Sequence, residues 1–518
     1  MHSIPGAVVL AALSCIALFS PAFAQDVQLR SLDGTVELEG NLIAFDGAYY
    51  RLDTIYGPIT VAAEGVRCAG PGCPDLTSFV AEARIAGEAT IAEGLLPVLL
   101  AGFAESQSMT LGPLMIRDGV LSYELTRRDG SPAARFTIMP GTSDSGLLAL
   151  LNGDTDLALS LREPTQAERR AARAEAPDDP PLGRRVRVIA LDALVPIVAP
   201  QNPLDQISLP ELAQVFSGEI DNWQALGGED APITLHLLDP GLGLAQSFAD
   251  RVLLPSALGP ATDIVRHGSA LALSNAVAGD AYAIGITAQS ARGTSRSLAL
   301  GGACGFYQTA SANAVKAEDY PLTAPVYFYL APRRLPRLVR EFLAFTETDA
   351  AERLVAQAGF VNQSLTRTPL ELQGTRIANA VVAAGDEVGL GDLQDMLARL
   401  SGAERLSATF RFGGGATDLD AQSRASAARL AAAIERGVFD GRHLIFVGFS
   451  DGEGAAAVNT RLSLRRAEVV RDAVLAAAAT SPNRVTLEVE AYGEVMPMAC
   501  DDTEWGRAVN RRVEVWLD

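Results

Sequence analysis

FVGFSDGEGAAAVNTRLSLRRAEVVRDAV, residues 446–474, and VEAYGEVMPMACDDTEWGRAVNRRVEVW, residues 489–516, are the two stretches that decide the C-terminal fold. The first opens on an apolar strand, breaks at Ser450-Asp451 among glycines, and continues as a helix carrying Arg465 and Arg466. The second reads as a strand, a Gly493-Glu494 turn, a loop closing on Asn510-Arg511-Arg512, and a terminal strand. Upstream lie the strand LSATFRF (406–412) and the alanine-rich helix AQSRASAARLAAAIE (421–435). The order is β-α-β-α-β-β.

NTRLSLRRA, AYGE and GRAVNRRVEV, in that order, resemble the OmpA-like peptidoglycan-associating domain of Gram-negative envelope proteins, over residues 405–518. The resemblance implies that Asp451 and Arg466 hold the diaminopimelate of the peptidoglycan stem peptide. That ligand ends in an ammonium and a carboxylate, which a carboxylate and a guanidinium placed together would pair with. Asn459, Leu462 and Ser463 match the family's Asn-x-x-Leu-Ser signature, and Arg511 matches an arginine expected to support the ligand loop. Ser450 stands where the family usually has threonine, which keeps the hydroxyl. Leu462, Val469 and Ala473 are expected to form the helix's buried stripe. Without the resemblance, Asp451 reads as a turn cap and Arg466 as half of a surface ion pair.

The chain has 518 residues, 48% of them hydrophobic, and a formal net charge of −20. The length implies several domains, and the charge argues against nucleic acid or an anionic membrane as the main partner. Residues 1–24 read as a signal peptide: an apolar run ends in Pro21-Ala22-Phe23-Ala24, with small residues where signal peptidase cuts. Lipidation at Cys15 is not expected, because Ala12 replaces the preferred leucine and the apolar run continues past it. No later segment supplies the ~20 apolar residues of a membrane span. The expected location is the periplasm, cell-wall associated, with the outer membrane as a further possible site through partners.

Cys68 and Cys73 in CAGPGC fit a short-loop disulfide; two free thiols or a metal site are the other readings, and no His lies nearby. Cys304 and Cys500 are either paired across domains or separate. Residues 25–78 alternate apolar and polar positions between Gly-containing turns and read as a small β-rich module. From about residue 79 to 365 the texture is α/β, interrupted at Glu163–Arg185 by a charged stretch expected to be an exposed loop. Residues 366–404 read as a connecting segment with one short helix, GLGDLQDMLARL. The fold class is multidomain α/β and α+β: a small N-terminal β module, a two-lobed binding-protein-like domain, and the βαβαββ domain.

RIAGEATIAEGLLPVLLAGFA, PGTSDSGLLALLNGDTDLALS and ALDALVPIVAPQNPLDQISLPELAQVFSGEIDNWQALGG together resemble the periplasmic phosphate-binding proteins, the receptors of phosphate uptake transporters. The resemblance implies two lobes gripping an oxyanion, with Thr90, Thr142, Ser143 and Ser145 at helix N-termini in the first lobe. Ordinary N-capping explains the same residues. In the second lobe, Leu238, Leu242 and Leu244 fall where the family has arginine, serine and threonine. The family's aspartate falls near Leu161, leaving Arg162 as an alternative anion contact. Each lost charge-assisted hydrogen bond removes roughly 1.5–3 kcal/mol, so the expectation is a changed or lost ligand.

His236, His267 and His443 sit in no nucleophile, HExxH or triad-like context, so the chain is read as not an enzyme, with no cofactor and no metal. The leading reading is a peptidoglycan-anchored protein carrying a receptor-like domain with a partly lost clamp. The alternative is a working substrate-binding component of a phosphate or other oxyanion ABC transporter. Expected partners are peptidoglycan, phosphate or another oxyanion, and envelope proteins, but not nucleic acid.

Overall fold

A computed structural model describes residues 26–76, 78–113, 115–175, 177, 180–384, 388–412, 418–479 and 484–518. The expected signal peptide and Cys15 lie outside the described residues. The chain divides into two compact units, Met1–Phe79 and Val80–Asp518. Among the described residues, no helix is long and apolar enough to cross a membrane.

The N-terminal unit is a five-stranded sheet in the order Gly57–Ala62, Tyr49–Thr54, Glu37–Phe45, Val27–Ser31, Val66–Ala69, all antiparallel where paired. The period-2 alternation puts Val27, Leu29, Tyr50 and Leu52 into one small core. Cys68 and Cys73 are joined by a disulfide.

In the second unit, a 12-stranded sheet runs through both lobes of the binding-protein-like region. At the centre of the first lobe, Ala81–Glu88 pairs in parallel with Pro132–Gly141 and Leu157–Ser160. In the second, Thr234–Leu238 pairs in parallel with Ile264–His267 and Ala283–Ala288. The strands Val186–Val198 and Thr323–Leu330 pair antiparallel and carry the sheet from one lobe to the other. Their near-continuous burial explains the long apolar runs VRVIALDALVPIV and TAPVYFYL. The first lobe's parallel strands end at Glu88, Gly141 and Ser160, the end at which α/β sheets take their ligands.

The C-terminal sheet runs Arg367–Pro369, Glu404–Arg411, Arg512–Leu517, His443–Phe449, Thr486–Ala491. Alternate residues of its strands serve two cores. Leu444, Phe446, Val513, Val515 and Leu517 face the helices Ala421–Glu435 and Ala456–Ala477. Ile445, Val447, Phe449 and Trp516 meet Ala380, Leu393 and Met396 from the helices Gly374–Ala383 and Leu390–Arg399.

Three expectations are corrected. The segment 366–404 is no mere connector: it adds an edge strand and two helices that cover the second face of the C-terminal sheet. The charged stretch Glu163–Arg185 contains the helix Gln166–Glu175, with Ala172 and Leu182 buried beside Leu147 and Leu150. Its arginines masked a thin apolar stripe. The loop before the last strand contains the helix Glu504–Asn510, capped where Thr503 accepts from Gly506 N at 3.0 Å.

The receptor-like and C-terminal regions are packed into the same unit. Arg405 donates to both Asp319 carboxylate oxygens at 2.6 and 3.0 Å, and its Nε is 3.2 Å from Glu514. Trp505 Nε1 donates to Pro321 O at 3.0 Å, Arg429 to Val188 O at 2.7 Å, and Cys304 is disulfide-bonded to Cys500. Burial opposes ionisation of Glu514, but Arg376, Arg405 and Arg512 hold its carboxyl well below the usual carboxylate range.

Candidate functional site

Asp451 follows the central strand His443–Phe449, on a loop fixed where Ser450 N donates to Gly493 O at 2.8 Å. Its Oδ2 accepts from Arg511 Nη1 at 2.7 Å. The same guanidinium donates to Glu504 at 2.5 Å and to Phe412 O at 3.3 Å. Arg466 is fully buried, 5.4 Å from the centre of the Phe412 ring. Burial pushes its guanidinium down to about 10, Asp451 pulls it back up, and Arg511 opposes it. Asp451, Arg466 and Arg511 are thus one electrostatic cluster, with Glu504 as a second carboxylate on Arg511.

The Ala456–Ala477 helix delivers Arg466 by sitting directly on the strand. A Cβ at Gly448 would strike the backbone carbonyl of Ser463, so the close approach requires glycine there. The buried face is Asn459, Ser463, Arg466, Ala467, Val470 and Val474, with Leu462, Val469 and Ala473 half-buried. The expected stripe is therefore displaced by about one residue, because polar side chains point inward. Asn459 donates to Glu494 at 3.1 Å, and Ser463 Oγ accepts from Gly493 N at 3.2 Å, which ties the helix to the turn. Asn510 pins the loop through Met498 N, Ala499 N and Asp501. A cavity of about 600 Å³ opens beside this loop, lined by Gly452, Glu494 and Asp501 and, from the receptor-like region, by Cys304 and Phe306.

In the first lobe, Thr142 and Ser145 are engaged in a capping box: Ser145 N donates to Thr142 Oγ1 at 3.0 Å and Thr142 N to Ser145 Oγ at 2.9 Å. Ser143 is buried, accepts from Leu161 N at 3.0 Å, and donates to Glu88 at 3.3 Å. Thr90 reaches Glu88 with both its backbone N–H and its hydroxyl. Four predicted residues are thus brought to one place, with Glu88 among them. Glu88 was missed because a charged residue at the end of a buried strand carries no periodic signal.

Glu88 is 1% exposed. Burial raises its carboxyl to about 8, against the hydrogen bonds from Ser143 and Thr90 and with a smaller push from Asp192. From the second lobe, Gly243 comes so close that a Cβ there would overlap the Glu88 carboxyl.

Arg162 is not left open for an anion: it donates to Asp144 and, at 2.8 and 2.9 Å, to Glu168. Asp144 also accepts from Gln246 of the second lobe. Leu238 and Leu244 are buried, and Leu242 precedes the helix Gly243–Phe248 without a side-chain cap. His236 and His267 stack with ring nitrogens 2.9 Å apart, and His443 meets Glu488 at 2.6 Å. Among the described residues, no group of three or more His, Cys, Asp or Glu could hold a metal ion.

Two lobes, each centred on parallel strands and joined by an antiparallel pair, define a periplasmic-binding-protein fold, here joined to a second α/β domain. The chain belongs to the PBP superfamily, whose family model, PBP superfamily domain, matches residues 77–349; the OmpA family model matches residues 411–511. It is 32% identical over 111 residues to the phosphate-binding protein PstS of Borreliella burgdorferi, covering 21% of this chain and 36% of that one. It is 48% identical over 71 residues to outer membrane porin F of Pseudomonas fluorescens, covering 14% and 21%. These matches span little more than a third of the curated relatives at most. A solved ABC-type phosphate transport receptor from Vibrio cholerae is 17% identical, with a TM-score of 0.41, over 54% of this chain and 99% of that one.

Proposed function

We propose that this chain is a non-catalytic periplasmic protein held to the cell wall by its C-terminal domain, with a receptor-like domain whose oxyanion clamp is partly lost. The observation that carries the reading is Asp451, 2.7 Å from Arg511 and coupled to the buried Arg466, within the segment that matches the OmpA family. Asp451 and the Arg466 guanidinium supply the opposite charges that the ligand's ammonium and carboxylate require, while Arg511 is shared between Asp451 and Glu504. Asp451, paired on one oxygen, keeps lone pairs for the ammonium. Asn459, Ser463 and Arg511 act as positioning residues, and Leu462 as partial packing.

The test is sedimentation of the full chain with purified peptidoglycan. Wild type should co-sediment, and Asp451→Ala and Arg466→Ala should each lose roughly tenfold or more in affinity, about 1.4 kcal/mol. Undiminished co-sedimentation of both variants would sink the site.

The second reading, a substrate-binding component for phosphate or another oxyanion, draws support from the local identity to a phosphate-binding protein. Leu238, Leu242 and Leu244 weigh against it, as does the commitment of Arg162 to two acids. Micromolar phosphate binding in calorimetry would establish it over the first.

A further inference from the structure

The first-lobe donors expected to meet an oxyanion already have a partner within the chain. Ser143 Oγ is 3.3 Å from Glu88 Oε2, and Thr90 engages the same carboxyl through its amide and hydroxyl. The side chain leaves the carboxyl end of the first lobe's central parallel strand, where a ligand of this fold class enters. It is buried, and it touches the second lobe at Gly243, whose missing Cβ makes the room. A carboxyl offers two oxygens to the same hydroxyl and amide donors that would grip an oxyanion.

We propose that Glu88 is a built-in occupant of the interlobe cleft: its carboxyl takes the place of the oxyanion, so the wild-type lobes are closed on the chain's own side chain. The proposal rests on the receptor-like reading of the domain, and it adds a cause for a cleft without ligand besides the replaced clamp. A leucine cannot hold an anion; a carboxyl already in place also excludes one.

The test is calorimetry on the full chain with inorganic phosphate and, separately, sulfate, on wild type, Glu88→Ala, Glu88→Ser and Glu88→Gln, each checked for native circular dichroism. Wild type should show no binding heat at up to about 1 mM anion, the weak end of the affinity scale. Glu88→Ala and Glu88→Ser should gain binding of at least one anion, roughly tenfold or more tighter than wild type. Glu88→Gln, which refills the same space, should not. Two variants guard against one failing to fold. Folded Ala or Ser variants that bind neither anion would overturn the proposal while leaving the lost-clamp reading intact. A gain in Glu88→Gln equal to that in Glu88→Ala would also overturn it, because charge and not occupancy would then be the barrier. Tight phosphate binding by wild type, unchanged or lost in the variants, would overturn both.

Discussion

Arg405, on the first long strand of the C-terminal sheet, grips Asp319 of the receptor-like region with two hydrogen bonds of 2.6 and 3.0 Å, both side chains buried. The contact joins residues 86 apart in sequence and lies beside the Glu514 cluster. It ties the C-terminal domain to the receptor-like region within one compact unit through buried side chains.

Asp319→Ala leaves the buried Arg405 guanidinium with less counter-charge, and breaking one side of a buried pair costs about 3–5 kcal/mol. The expected outcome in denaturant unfolding is a lower midpoint and a split into two transitions. Replacing both partners by Asp319→Leu and Arg405→Met should recover much of the loss, since buried pairs exchange for apolar groups at small net cost. A double variant as unstable as the single one would refute this account.

Arg511 meets Asp451, Glu504 and Phe412 O, so in the proposed wall-binding site it fixes the carboxylate. Arg511→Ala should weaken peptidoglycan co-sedimentation by roughly tenfold, with Arg511→Lys intermediate because it keeps charge without the planar fork. Equal loss in both variants would mean that charge alone is not enough and the fork is indispensable. Unchanged binding in both would remove Arg511 from the site.

Much of the C-terminal domain was legible because its strands alternate cleanly and its loop residues come in motif order. The helix face was harder to read. Asn459, Ser463 and Arg466 point inward, so hydrophobicity picked Leu462, Val469 and Ala473 instead. The role of residues 366–404 was hidden because Trp516, which they cover, belongs to a strand more than a hundred residues away. In the first lobe, Thr142 and Ser145 were legible as a cap pattern, but Glu88 was not. Its environment is assembled from Ser143 and Gly243, both distant in sequence.

Gly243→Ala places a methyl group on the Glu88 carboxyl, and one of the two must move. Overpacking of this kind costs about 1–3 kcal/mol. In a Glu88→Ala background the same change should be close to neutral. A double-mutant cycle on thermal unfolding should therefore give a coupling of about 1 kcal/mol or more. Additive effects would show that the two residues do not share space.

The pH dependence of stability offers a separate check on Glu88. Its carboxyl ordinarily titrates at 4.5 and is raised by burial to about 8 in the folded chain. Between those values the folded state keeps a proton that the unfolded state releases, so rising pH favours unfolding. The Glu88 contribution is intact below about pH 4.5 and is lost progressively up to about pH 8, by on the order of 5 kcal/mol at most. Asp192, raised to about 6, acts in the same sense at lower pH, so wild type carries both effects. Glu88→Gln has no proton to lose there. Its melting temperature, measured from pH 5 to 9, should fall less steeply than that of wild type, and the two curves should diverge most between pH 6 and 8. Parallel curves would mean that Glu88 titrates as an ordinary exposed carboxyl, and its burial between Ser143, Thr90 and Gly243 would then be wrong.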